Sequence, residues 1–275
     1  MALPPPAAAG TCLVTGASSG IGADIARELV RRGHGVTLVA RREDKLRQLA
    51  DELVARSGVR VEVLSADLSD AGSRAALAAT LVARELTVEV LVNNAGATTM
   101  GPVAAADRDA ELRMIRVDVE AVVDLCTTFV PGMVERRRGA VLNVASTAAF
   151  QPLPGQAAYG GSKAFVLSYT QALRAELRGS GVTITTLCPG PVATGFAEAA
   201  GLSDEEAAGS LPKIMWVDKA EVARAAIAGV ERGRGVVIPG PANQVGAAFA
   251  QHVPRRLLLP LLARQHPALR QDAQR

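Results

Sequence analysis

The sequence predicts an α/β protein: one doubly wound domain on a mostly parallel, seven-stranded sheet, with helices on both faces and a variable helical C-terminal tail. Three observations predict it. Short, fully apolar, β-branched runs alternate with longer amphipathic stretches along most of the 275 residues, the pattern of strands buried on both faces and joined by helices. A glycine cluster ends the first apolar run and opens the first helical pattern. No repeat and no long linker divides the chain. Residues 10–240 therefore read as one domain, after a frayed leader (1–9) and before a basic, apolar tail (241–275).

The elements follow in order. Residues 10–15 (GTCLVT) read as the first strand, and Ile21–Arg32 as the first helix. Val36–Ala40, Val59–Leu64, Val90–Val92, Ala140–Ala145 and Val182–Leu187 are further apolar, strand-like runs, and Val236–Pro239 adds a last short strand at one edge. Between them, Glu43–Ser57, Asp70–Glu85, Arg108–Arg136 and Ala157–Gly179 carry helical periodicity. Asp218 precedes Lys219-Ala-Glu221, the signature of a capped helix leading to Val230. Residues 195–217 break the rhythm, and Asn243–His266 holds apolar clusters interrupted by Pro254 and Pro260.

Composition narrows the function. Hydrophobic residues make up 49% and charged residues 21%, which argues against disorder. No apolar run is long enough to span a bilayer, and the N-terminus lacks a basic n-region, so a cytoplasmic protein is expected. Cys12, Cys126 and Cys188 form no metal-ligand spacing, and His34, His252 and His266 are scattered; no metal is expected. The formal charge is +3, yet residues 251–275 hold five arginines against Asp272 alone, a net of +4, leaving −1 for residues 1–250. The body is no nucleic-acid binder by charge. For the tail three readings stay open: cover for a substrate pocket or subunit interface, a segment on an anionic membrane surface, or core helices.

Two motifs carry the chemistry. In T-G-A-S-S-G-I-G (15–22), Gly16 permits a tight turn, Gly20 lets a pyrophosphate approach the backbone, and Gly22 allows close helix packing. Ser18, Ser19 and Ile21 fill the turn, and the helix N-terminus offers free N–H groups to phosphate. At the end of the second strand, an acid would accept the ribose 2′-OH of NAD, whereas arginine suits the 2′-phosphate of NADP. This chain has Ala40, then Arg41 and Arg42, so NADP(H) is favoured; two solvated arginines at a helix start are the alternative. The second motif is Y-G-G-S-K, Tyr159 to Lys163, in a chain with two tyrosines and four lysines against 26 arginines. On a helix these two share a face, so the ammonium can favour the phenolate of a residue whose pKa is ordinarily about 10. Ser146 follows the apolar strand V-L-N-V-A, at the sheet edge where ligands of open α/β sheets bind.

With N-N-A-G at 93–96 and C-P-G-P-V-A-T at 188–194 in order and spacing, the chain resembles the short-chain dehydrogenase/reductases, strongly over residues 10–195 and loosely over 219–240. The resemblance implies a Rossmann-like domain and an NADP(H)-dependent enzyme interconverting a carbonyl and a secondary alcohol. In it, Tyr159 is general acid or base, Lys163 lowers its pKa and meets the nicotinamide ribose, and Ser146 orients the substrate oxygen. It further implies that Asp67 and Leu68 meet the adenine, that Asn94, Ala95 and Gly96 line the cofactor channel, and that Pro189, Gly190, Val192 and Thr194 anchor the nicotinamide side. Residues 191–217 become a substrate loop, with Phe196, Met215 and Trp216 facing a small-molecule substrate, and a homodimer or homotetramer is expected. One departure is Asp118, which stands where the family usually has asparagine; its carboxylate would stabilise the Lys163 ammonium and partly offset the pull on Tyr159, or it merely replaces the amide within the same backbone geometry. Reduction of a 3-oxoacyl thioester on an acyl carrier is a second reading, and a non-catalytic dinucleotide-sensing or interaction protein a third.

Overall fold

The computed structural model describes residues 3–193 and 212–265. Strands β1 (Gly10–Thr15), β2 (Val36–Ala40), β3 (Val61–Ser65), β4 (Thr87–Asn93), β5 (Gly139–Val144), β6 (Val182–Leu187) and β7 (Val236–Val237) form one sheet in the order β3-β2-β1-β4-β5-β6-β7. All six pairings are parallel, so the sheet is wholly rather than mostly parallel. Parallel strands need long crossovers, and helices supply them. Those before β6 are α1 (Gly20–Arg31), α2 (Glu43–Ser57), α3 (Ala71–Ala83), α4 (Arg108–Ile115), α5 (Ala121–Glu135) and α6 (Ala157–Glu176). After β6 come α7 (Lys219–Glu231), α8 (Pro241–His252) and α9 (Arg255–Gln265).

Side chains alternate along each strand, so each face builds its own core. Cys12, Val14, Val90 and Val92 pack with Ile25 and Leu29 of α1, Leu46 and Leu49 of α2, and Val222 and Ile227 of α7. Leu13, Leu91 and Val141 face the other way, onto Leu77 of α3, Leu125 of α5 and Val166 of α6. The strand order reverses between β1 and β4, which opens a crevice beyond their carboxyl ends.

Several boundaries depart from the sequence reading. β4 begins three residues before Val90 because Glu89, a charge that breaks the apolar run, is buried against Arg138 at 2.9 Å. The long helix expected over 108–136 is interrupted by a π-helical turn, Arg116–Glu120. Within residues 3–9, Leu3 packs on the first core, and the Pro5 and Ala9 carbonyls accept hydrogen bonds from Arg138 and from the Thr87 N–H. In the tail, Pro254 separates α8 from α9 as expected, but Pro260 lies inside α9.

Candidate active site

The glycine turn is shaped by its neighbour strand. Gly16 has φ +65°, and a Cβ there would lie 2.8 Å from the Ala95 Cα; one at Gly22 would lie 2.4 Å from Asn94 Nδ2. Asn94 Nδ2 donates to the Thr15 carbonyl at 2.9 Å, and Thr15 Oγ1 accepts from the N–H groups of Asn94 and Ala95, each at 3.0 Å. Side chains at these glycines would push β4 off the turn. The helix α1 starts at Gly20, and Ser19 leaves its first N–H groups without a side-chain cap, a donor set suited to phosphate.

Arg41 and Arg42 stand exposed at the end of β2, beside this turn. Arg42 Nη2 donates to Ser18 Oγ at 3.1 Å and Ser19 Oγ at 2.9 Å, hydroxyls rather than carboxylates, and among the described residues no carboxylate pairs with it. Asp67 follows β3. Its Oδ1 accepts from Ser69 N and Oγ at 3.0 and 2.7 Å, and the Ser69 hydroxyl, aided by Arg113 and Arg41 against burial, holds the carboxyl below its ordinary pKa. Arg113 Nη1, 3.5 Å from Asp67 Oδ2, closes this wall; the sequence reading missed it, since its only signal was another arginine on a helix face. The neighbouring Leu68 carbonyl is fixed by Arg74 at 2.8 Å.

Across the crevice, β5 delivers Ser146 and α6 delivers Tyr159 and Lys163 one turn apart. Ser146 Oγ accepts from Ala148 N at 3.1 Å, capping a 3₁₀ turn, and its hydroxyl hydrogen-bonds Tyr159. The Lys163 ammonium sits 5.6 Å from the Tyr159 ring centroid, 3.5 Å from the Val144 carbonyl and 2.8 Å from Asp118 Oδ2. Asp118, on the π-helical turn, is 1% exposed, and its Oδ1 accepts from Ala97 N at 2.7 Å. Gly96 leaves room for this pair, since a Cβ there would stand 3.2 Å from Lys163 Nζ.

Lys163 and Asp118 act on the phenol in the directions expected of them, and burial adds a third influence. Burial pushes the Tyr159 phenol above its ordinary pKa; Lys163 and Ser146 pull it down without overcoming that, and Asp118 adds to the rise. Burial alone would lower Lys163, but Asp118, then Tyr159, outweigh it and raise the ammonium pKa. Lys163 is thus held as a cation whose charge Asp118 already shares.

A cleft of about 1040 Å³ joins the two sides. Gly16, Ser18, Ser19, Gly20 and Ile21 of the glycine turn, Arg41, Arg42, Asp67, Leu68, Asn94–Gly96, Ser146, Tyr159 and Lys163 all line it, as do Pro189, Gly190, Val192, Met215 and Trp216. Gly22 and Asp118 lie behind it. Thr194 and Phe196 lie outside the described residues. Sequence reasoning also missed Gln156, which donates to Thr98 Oγ1 at 2.8 Å on the cleft wall, and Asn243. Asn243 is fully buried and donates to the carbonyls of Met215 and Pro239 at 2.9 and 3.0 Å. A Cβ at Gly190 would lie 2.2 Å from Asn243 Oδ1, so that glycine makes room for the asparagine. Burial pushes the three cysteine thiols above their ordinary pKa, and no group of three or more His, Cys, Asp or Glu among the described residues could hold a metal ion.

The sequence matches the family model described as short chain dehydrogenase over residues 10–204. It is 36% identical over 184 residues to a short chain dehydrogenase of Pseudocercospora fijiensis, covering 66% of this chain but only 59% of that protein. Over 199 residues it is 37% identical to the NADP-dependent 3-hydroxy acid dehydrogenase YdfG of Salmonella typhi, covering 72% of this chain and 79% of that one. Among solved structures, a short-chain dehydrogenase from Sphingobium yanoikuyae in complex with NADPH superposes with a TM-score of 0.77 at 35% identity, covering 93% and 94% of the two chains.

Proposed function

This chain belongs to the short-chain dehydrogenase family, and from that premise we infer that it is an NADP(H)-dependent oxidoreductase interconverting a carbonyl and a secondary alcohol. The observation that carries the reading is the convergence of Ser146, Tyr159 and Lys163 on a cleft whose far end holds the glycine turn and Arg42. The residues present fit the cofactor. The bare Gly16 turn and the uncapped start of α1 suit a pyrophosphate, and Arg42, free of carboxylate partners at the turn, suits the additional 2′-phosphate.

The bound dinucleotide supplies the hydride in reduction and accepts it in oxidation. In reduction, the Ser146 and Tyr159 hydroxyls would hold the substrate oxygen, and Tyr159 would pass its phenolic proton to that oxygen as negative charge develops there. Lys163, fixed over the ring, stabilises the phenolate left behind. In oxidation the same phenol oxygen takes the proton back. Asp118 keeps Lys163 charged and in place. Arg113 with Asp67 and Leu68 would bound the adenine side, and Met215 and Trp216 the substrate side. The substrate wall includes Met100, Leu153, Met215 and Ala250, which favours an apolar or medium-sized carbonyl compound.

We further propose a homo-oligomer working in the cytoplasm. Phe165, 41% exposed on α6 and stacked on Tyr169, supports a subunit contact. The test of the main reading is NADPH consumption across a panel of ketones and 3-oxoacyl thioesters, with Tyr159→Phe alongside. Loss of the general acid should lower turnover about 10²–10⁴-fold, with NADPH affinity kept. A Tyr159→Phe protein as active as the parent would contradict the assignment, and NADPH binding without turnover on any carbonyl would favour a dinucleotide-sensing role.

A further inference from the structure

The outer face of the C-terminal helices has no part in the chemistry above. One side of α8 buries Asn243, Ala247 and Ala250 against the cleft wall. Its other side sends Val245 and Phe249, one turn apart, into solvent at 71% and 59% exposure. Leu257 at the start of α9 is 63% exposed. Ile214 is 77% exposed and belongs to a turn whose Met215 Cε lies 3.6 Å from where a Cβ would stand on Gly246 of α8.

Charge sets this region apart from the rest of the chain. Residues 232–271 contain six arginines and no aspartate or glutamate; removing those six leaves 24 basic against 27 acidic residues elsewhere. Arg255 and Arg256 are exposed immediately beyond α8. A two-fold contact through α8 and the start of α9 would set Arg255 and Arg256 against their own copies, with no carboxylate in either helix to pair with them, because such an interface is self-complementary. Like charges facing one another would oppose it. An anionic bilayer instead complements both properties, taking apolar side chains below its headgroups and arginines among its phosphates.

We propose that the outer face of α8 and the start of α9 dock the protein on an anionic phospholipid surface, with the cleft directly behind the docked helix. The consequence that apolar carbonyl compounds reach the cleft from lipid rests on the oxidoreductase reading; the docking does not.

The test is sedimentation of the full chain with vesicles of phosphatidylcholine alone or mixed with phosphatidylglycerol, at low and high salt. The protein should pellet with the mixed vesicles, less at high salt and little with phosphatidylcholine. Arg256→Gln should weaken binding about fivefold, the worth of one basic side chain near such a surface. Val245→Ser with Phe249→Ser should weaken it at least ~10-fold. Both variants should keep parental NADPH affinity, which reports an intact cleft and separates failure of docking from failure of the oxidoreductase reading. Absence of binding to the mixed vesicles, or binding unmoved by the double substitution, would overturn the proposal. So would a parental dimer that the double substitution splits, since a second copy would then cover the face. Should the double variant fail to fold, Phe249→Trp serves: its added fluorescence should shift to the blue with mixed vesicles, and an unmoved spectrum overturns the proposal.

Discussion

Asp118 decides how Lys163 and Tyr159 share charge. A lysine buried alone would lose its proton more readily, yet here a carboxylate 2.8 Å away raises its pKa. The same carboxylate raises the phenol pKa, adding to burial and opposing Lys163. Removing its charge should therefore lower the Tyr159 pKa. Reduction needs the protonated phenol, so in Asp118→Asn the alkaline limb of the pH–rate profile should move to lower pH. A limb that stays where it is would refute the electrostatic account. Asp118→Ala should lower stability by roughly 3–5 kcal/mol, because it removes from the buried Lys163 ammonium both the carboxylate and any side-chain oxygen in its place; denaturant unfolding measures it. The tyrosine and lysine were legible in the sequence because both types are rare and the two stand four apart, and the serine because it follows an apolar strand. The direction of the phenol shift was not, because it depends on burial, which no motif records.

The helices show the same division between local and tertiary causes. Asp218 was legible as a cap, and its carboxylate accepts from Ala220 N and Glu221 N at 2.9 and 3.2 Å. Asp218→Ala should cost about 1 kcal/mol, seen as a Tm lowered by ~2–4 °C in a chain of this size; an unchanged Tm would mean that packing alone holds the start of α7. The π-helical turn at Arg116–Glu120 was not legible. Its sequence, R-V-D-V-E, fits an ordinary helix, and tertiary partners accompany the widened turn: Asp118 meets Ala97 N and Lys163, and Glu120 meets Arg74. Such turns occur often at functional sites. Arg74 also fixes the Leu68 carbonyl, so one buried guanidinium joins the β3 end of the cleft to the segment that carries Asp118.

At the scale of the whole molecule, the reversal of strand order between β1 and β4 explains why residues from 16 to 262 share one cleft. Every strand was legible at least in part, although Glu89 hid the start of β4, and the parallel alternation made the sheet legible too. What the sequence hid were contacts between distant segments: Asn243 holding the Met215 carbonyl, Gln156 reaching Thr98, and Arg113 meeting Asp67. Each is a single polar residue in an ordinary setting until the fold supplies its partner. The central claim, that this cleft is built for NADP(H), rests on Arg42 standing at the glycine turn without a carboxylate partner there. A hydrogen bond to a charged group is worth about 1.5–3 kcal/mol, roughly 10- to 100-fold in affinity. The most direct measurement is therefore a fluorescence titration of the parent protein and of Arg42→Ala with NADPH and NADH. The account predicts tight NADPH and weak NADH binding in the parent, with that preference largely lost in Arg42→Ala. Equal affinities in the parent, or no binding of either nucleotide, would contradict it.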